Sequence, residues 1–173
     1  MTADHRPRVI LVGPMGAGKT TVAGLLGDLW DAPVRDTDQD VEAAQGRTIA
    51  DIFVESGEAH FRELERAAVA AAVAEHDGVL ALGGGAVLDE GTRAALGGHT
   101  VVFLRVGLSA AVKRVGLGTA RPLLLGNMRG RIKALLDERT PVYEAVATLV
   151  VDTDGRTAED VAADIDRQLE EQQ

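Results

Sequence analysis

The sequence predicts an α/β protein built on a parallel sheet, and three observations carry that expectation. Short apolar, β-branched runs alternate with stretches of helical periodicity along the chain. The first run, Arg8-Val9-Ile10-Leu11-Val12, passes straight into a glycine-rich loop and then into a helix pattern. Three unusual stretches, at residues 13–20, 36–38 and 83–85, each follow a strand candidate. All three therefore fall on the carboxyl edge of the sheet, where open α/β sheets gather their ligands.

The elements follow in order. Thr20 to Asp31 carries Val22, Leu25, Leu26 and Leu29 at helical spacing. Ala32 to Asp36 turns into a second strand, and Asp38 to Gln45 forms a short helix closed by Gly46. Thr48 with Asp51 reads as an N-cap pair for a helix whose apolar side is Ile49, Ile52 and Phe53, ended by Gly57. Glu58 to His76 is a longer helix with Phe61, Leu64, Ala68 and Val69 inward, and His60 and His76 exposed. Val79 to Leu82 is the third strand, Asp89 caps a short helix, and Thr100 to Val106 is the fourth strand. Ser109 caps a helix that stops near Gly116. Residues 116–130 place glycines around Arg121-Pro122 and read as a mobile flap, or lid. Arg131 to Arg139 is helical, and Pro141 begins another short helix. Thr148 to Val151 is the fifth strand, and Thr157 with Asp160 caps a last helix carrying Val161, Ile165 and Leu169.

Composition bounds the function. With 173 residues, 46% hydrophobic and 26% charged, the chain suits one domain, residues 1–173, with a sizeable core. No apolar run reaches the ~18 residues of a membrane span, and Met1 to Arg8 lacks a signal-peptide core. The expectation is a cytoplasmic protein with no membrane partner. There are no cysteines, which excludes disulfides and thiolate metal sites. A net charge of −9 argues against nucleic acid as a partner. It leaves room for a small anion, since local arginines outweigh a distant field at short range.

The first unusual stretch is Gly13-Pro14-Met15-Gly16-Ala17-Gly18-Lys19-Thr20, which fits the phosphate-binding pattern G-x-x-x-x-G-K-[ST]. Its glycines let backbone N–H groups approach phosphate oxygens, and the helix beginning there points its positive end at the same place. Gly16, Ala17, Gly18, Lys19, Thr20 and Thr21 form the nucleotide-binding segment. Lys19 reaches the β/γ-phosphates and the Thr20 hydroxyl ligates Mg²⁺.

The other stretches concern what receives the phosphoryl group. Asp36-Thr37-Asp38 puts two carboxylates at a strand end, to hold a metal's water or to accept a proton from a hydroxyl. The same pattern also reads as a solvated helix N-cap. Gly83-Gly84-Gly85 offers bare backbone N–H groups to a ligand, or is a plain strand-to-helix turn. Arg62 reads as a surface ion pair with Glu58 and Glu65, and Arg139 as a cation closing a helix. Arg121, stiffened by Pro122 between glycines, is placed to swing onto phosphates. Trp30 and Tyr143 read as packing residues.

These stretches, together with Ile49-Ala50-Asp51-Ile52-Phe53, Gly57-Glu58, Phe61 to Glu65, Arg121-Pro122-Leu123-Leu124 and Arg139-Thr140-Pro141-Val142-Tyr143, resemble the shikimate kinase family from end to end. The resemblance implies a three-layer α/β/α sandwich of the P-loop class, with a five-stranded parallel sheet in the order 2-3-1-4-5 and a mobile lid. It implies a monomer that transfers the γ-phosphoryl of ATP to the 3-hydroxyl of shikimate, with Mg²⁺. Asp38 matches the family's base and hydroxyl ligand, and Arg62 and Arg139 match the grip on the shikimate carboxylate. Gly84, flanked by Gly83 and Gly85, matches a backbone contact to substrate, and Arg121 the lid arginine on the phosphates. Thr20 and Asp36 match the metal side, with Thr20 where serine is usual, and Arg114 and Arg156 fall on the adenine side. Val142 stands where leucine is common. Two other readings compete: a kinase for another polyol acid such as gluconate, whose acceptor-side pattern is absent, and a nucleotide-binding module without turnover.

Overall fold

A computed structural model describes residues 6–116 and 125–172. Five strands form one parallel sheet: β1 (Val9–Val12), β2 (Val34–Asp36), β3 (Val79–Ala81), β4 (Val101–Arg105) and β5 (Leu149–Asp152), in the order β2-β3-β1-β4-β5. The expected strand order is the observed one. β1 lies in register with β3 on one side (Ile10 opposite Leu80) and with β4 on the other (Leu11 opposite Val102). Strand direction of winding reverses at β1, so the crevice for a ligand opens beyond Val12.

The helices are α1 (Lys19–Trp30), α2 (Thr37–Gln45), α3 (Ile49–Ser56), α4 (Glu58–Glu75), α5 (Glu90–Ala95), α6 (Leu108–Gly116), α7 (Leu125–Val146) and α8 (Ala158–Glu171). Side chains alternate across each strand, so a sheet covered on both faces has two cores. Val9, Leu11, Val102 and Leu104 pack with Val22 and Leu26 of α1 and with Val161 and Ile165 of α8. Ile10, Leu80 and Phe103 pack on the other face with Val69 of α4 and Tyr143 of α7. A third, smaller core of Val41, Ile52 and Phe61 lies under α2, α3 and α4. Among the described residues, no helix is long and apolar enough to cross a membrane.

Several local expectations change. Leu29 is 55% exposed, and the buried stripe of α1 is Val22, Ala23, Leu26 and Gly27. Ser109 lies inside α6, one residue past its start, and the Ala111 N–H already bonds back to the Gly107 carbonyl. His76 is buried at the end of α4, with Nε2 between the carbonyls of Val79 (2.9 Å) and Pro33 (3.2 Å). The two helices expected around Pro141 are one, α7, with the proline inside it. An interior proline removes one helix hydrogen bond. Tyr143, with Val142 and Val146 beside it, packs on the sheet across that point and keeps the rod continuous. The flap expected over 116–130 is shorter at its far end, since residues 125–130 already belong to α7. Residues 117–124, with Arg121, lie outside the described residues.

Candidate active site

The loop after β1 is shaped by close approach. A Cβ on Gly13 would lie 2.8 Å from the Leu104 carbonyl oxygen. Gly16 and Gly18 hold φ of 85° and 90°, a region that side chains disfavour. Gly18 starts α1 and supplies no side-chain cap. The first N–H groups of α1 are therefore left for an anion, with the helix dipole behind them. Lys19 meanwhile folds back, its Nζ donating to the carbonyl oxygens of Gly13 (2.5 Å) and Pro14 (3.1 Å).

Asp36 does two things. Its Oδ1 accepts from the N–H groups of Asp38 (2.9 Å) and Gln39 (3.4 Å), which caps α2. Its Oδ2 accepts from the Thr20 hydroxyl at 3.4 Å. The N-cap reading and the phosphate-side placement hold together. Asp38 sits in the first turn of α2 instead of on a strand end, because the cap starts the helix one residue after Asp36.

Arg62 keeps the expected ion pairs, but with a buried partner in Glu65 instead of at the surface. It pairs with Glu65 (2.8 Å) and Glu58 (3.5 Å) on its own helix, and its guanidinium lines the same cavity as Lys19. That cavity, of ≈ 590 Å³, is walled by Lys19, Thr20, Asp36, Asp38, Arg62 and Arg139, with Gly84 and Gly85 among the rest. The glycine run explains how so much chemistry converges there. A Cβ on Gly83 would collide with Asp38, and one on Gly85 would lie 2.5 Å from Arg62 Nη1. Beside Gly84 stand Met15 and Arg139, at 3.6 Å and 3.7 Å from a Cβ built there. Arg139 comes from the middle of α7, not from a helix end, and its Nε is buried without a hydrogen-bond partner among the described residues.

Burial sets the electrostatics. It lowers the Lys19 ammonium to about 8, against the pull of Asp38 and Asp36 and with the push of Arg139. It raises the Asp38 carboxyl to about 6, with Asp36 and Glu65 adding to the rise and Lys19 opposing it. Glu65 is also raised by burial, although Arg62 pulls it down. At neutral pH the cavity thus holds a charged lysine and a carboxylate close to its titration point, a pairing suited to proton transfer beside phosphate.

A second hollow of ≈ 230 Å³ adjoins the loop, lined by Gly16, Thr21, Arg114, Thr153 and Arg156 among others. Arg114 Nη1 donates to the Gly16 carbonyl (2.8 Å), which ties this hollow to the phosphate loop. Arg156 is held by Asp164 at 3.0 Å. Ala17, though in the segment, is buried.

Sequence reasoning missed several participants. Glu65, 3% exposed, was read as surface charge; its spacing from Arg62 was the available signal. Phe53, Phe61 and Ile49 form the apolar wall of the larger cavity. Tyr143, taken for packing, donates its hydroxyl to the Gly84 carbonyl at 2.5 Å.

Residues 15–170 match the family model described as shikimate kinase. The chain is 60% identical over 159 residues to the shikimate kinase of Salinispora arenicola, spanning 92% of this chain and 95% of that one. It is 55% identical over 166 residues to the shikimate kinase of Thermobifida fusca, spanning 96% of each. Among solved structures, shikimate kinase from Acinetobacter baumannii in complex with shikimate matches with a TM-score of 0.89 at 34% identity, over 98% of this chain and 96% of that one. The Aquifex aeolicus shikimate kinase structure matches at 0.80 and 30% identity, over 94% of this chain and 96% of that one. Sequence and fold agree over nearly the whole length of both partners in each comparison, and on that ground the chain belongs to the shikimate kinase family.

Proposed function

We propose that this protein is an ATP-dependent shikimate kinase, transferring the γ-phosphoryl of ATP to the 3-hydroxyl of shikimate to give shikimate 3-phosphate and ADP. The observation that carries the reading is the single cavity shared by Lys19, Asp38, Arg62, Arg139 and the glycine run. Shikimate is a carboxylated ring polyol, and the cavity offers cations and a carboxylate in one hollow.

Phosphoryl transfer asks the protein for alignment and charge stabilisation more than for covalent chemistry. Arg62 and Arg139 bind the shikimate carboxylate, each guanidinium able to offer paired N–H donors. Asp38 accepts hydrogen bonds from the ring hydroxyls and takes the proton as the 3-oxygen attacks. The loop N–H groups and Lys19 hold the β/γ-phosphates, Lys19 giving up its carbonyl partners to do so. Arg121 completes the charge stabilisation from the lid, and Arg114 and Arg156 border the adenine. Thr20 and Asp36 fit Mg²⁺, being hard oxygen donors 3.4 Å apart. Among the described residues, no cluster of three or more His, Cys, Asp or Glu could hold a metal alone, so phosphate oxygens would complete the shell. Bound there, the ion supplies positive charge to the phosphate oxygens.

The reading extends to one monomeric domain over residues 1–173 that works in the cytoplasm on dissolved substrates. Sedimentation of the purified chain tests the monomer. A coupled assay of ADP release tests the activity, with wild-type protein and Asp38→Asn side by side. Release that depends on shikimate and collapses in the variant supports the proposal. Turnover of other hydroxylated acids with none of shikimate sinks it.

A further inference from the structure

The glycine run 83–85 has no side chains with which to hold itself, yet its carbonyls and its first N–H are engaged. The Gly83 N–H donates to Thr37 Oγ1 at 3.2 Å. The Gly84 carbonyl accepts from the Tyr143 hydroxyl at 2.5 Å. The carbonyls of Gly83 and Gly85 accept from the N–H groups of Ala86 (3.1 Å) and Leu88 (3.2 Å). All three carbonyls and the first N–H are thus used. The N–H groups of Gly84 and Gly85 remain, without a protein acceptor among the described residues, on two residues that line the cavity.

Thr37 and Tyr143 are fully buried, and neither lines the cavity. They arrive from different helices, α2 and α7, and meet the run 46 and 59 residues away in the chain. We propose that Thr37 and Tyr143 are positioning residues for the acceptor, whose hydroxyls fix the glycine run so that the Gly84 and Gly85 N–H groups serve as donors to acceptor oxygens. The inference rests on the kinase reading above. Glycine is the residue with most backbone freedom, so an unheld run of three would offer those donors in many directions. Tyr143 also follows Arg139 by one helical turn and its hydroxyl meets that side chain as well as the Gly84 carbonyl, so it ties the arginine to the same run. Burial raises the Tyr143 hydroxyl above its usual value, which keeps it a donor through the working pH range. Thr37 explains the middle position of Asp36-Thr37-Asp38: the two carboxylates face the cavity while the hydroxyl between them faces the glycines.

The hydroxyls can be removed without removing the packing. The Tyr143 ring lies 5.0 Å from that of Phe103, a contact phenylalanine would keep, and valine matches threonine in shape. Steady-state kinetics with shikimate and ATP varied separately test the idea on full-length wild type, Tyr143→Phe, Thr37→Val and Thr37→Ser. The shikimate KM is expected to rise ~5–10-fold in Tyr143→Phe and Thr37→Val, a loss typical of one hydrogen bond. The ATP KM is expected to stay within about twofold, and Thr37→Ser to behave as wild type. An unchanged shikimate KM in both variants, or equal rises in both KM values, overturns the inference. Should Tyr143→Phe fail to fold, the contrast between Thr37→Val and Thr37→Ser decides by the same criteria. A wild type that does not turn over shikimate overturns the kinase reading and this inference together; an active wild type with unmoved variants overturns the inference alone.

Discussion

Glu65 Oε1 accepts a hydrogen bond from Arg62 Nη1 at 2.8 Å, and Glu65 is only 3% exposed while its partner faces the cavity. The carboxylate is therefore a buried post to which a cavity-lining cation is tied. Removing it leaves Arg62 with the exposed Glu58 at 3.5 Å. Glu65→Ala should raise the shikimate KM ~10-fold, about 1.4 kcal/mol, and leave the ATP KM near wild type. Glu65→Gln, which keeps an acceptor oxygen, should lie between. Initial-rate measurements check this, and an unchanged shikimate KM in Glu65→Ala would refute the tie.

Arg139 differs in having an unmet buried donor at Nε. The same side chain meets the Tyr143 hydroxyl and lines the cavity. Arg139→Lys keeps the charge but loses the planar fork. Shikimate affinity by titration calorimetry should fall ~10–100-fold, the range of one or two charge-assisted bonds, with little change in Tm. A large drop in Tm with unchanged affinity would reverse the assignment.

Asp38 links activity and stability with opposite signs. Its carboxyl is raised to about 6, first by burial. kcat/KM for shikimate should fall as pH drops below about 6, where the base becomes protonated. Lys19, lowered to about 8, sets an upper limb, so the profile of the free enzyme should be bell-shaped, its two limbs belonging to a coupled pair. For stability, the folded state binds the Asp38 proton more tightly than the unfolded state. This group's contribution is therefore most favourable at low pH and is lost as pH rises from about 4 to about 6. Asp38→Asn removes a destabilising charge, on the order of 2 kcal/mol at pH 7. Its Tm should exceed that of wild type by ~5 °C at pH 7, with the gap closing towards pH 4, while activity is lost. Scanning calorimetry of both proteins across that range checks the sign.

The glycine run gives a graded series. Gly83→Ala drives a methyl into Asp38, and Gly85→Ala drives one against the Arg62 guanidinium. Gly84→Ala meets nothing closer than 3.6 Å. Gly83→Ala and Gly85→Ala should lose ~1–3 kcal/mol by overpacking, while Gly84→Ala should lose less than ~1 kcal/mol. Urea denaturation of the three variants measures the order, and equal losses would contradict it.

What the sequence revealed follows physical locality. β1, β3 and β4 were legible because a strand covered on both faces must be apolar throughout. The phosphate loop was legible because its glycines and the Lys19-Thr20 pair lie within eight neighbouring residues. The caps at Thr48 and Thr157 were legible for the same reason. What failed was decided by distant partners. Pro141 obeys no local helix rule because Tyr143 and its neighbours pack on the sheet. His76 is held at Nε2 by the carbonyl of Pro33, 43 residues back, as well as by that of nearby Val79. Tyr143 looked like packing because the carbonyl it serves is 59 residues away. Asp36 caps α2 with one oxygen and meets the Thr20 hydroxyl with the other, and Arg62 pairs with Glu65 while lining the cavity, since a carboxylate has two oxygens and a guanidinium several donors.

The small core of Val41, Ile52 and Phe61 stands apart from the two on the faces of the sheet. The chain thus resembles a socket on a base: the phosphate loop and strands form the base, and α2, α3 and the start of α4 form a lobe with a core of its own. Recasting that lobe's apolar wall of Ile49, Phe53 and Phe61 would reshape the cavity while Lys19 and Arg139 stay on the base.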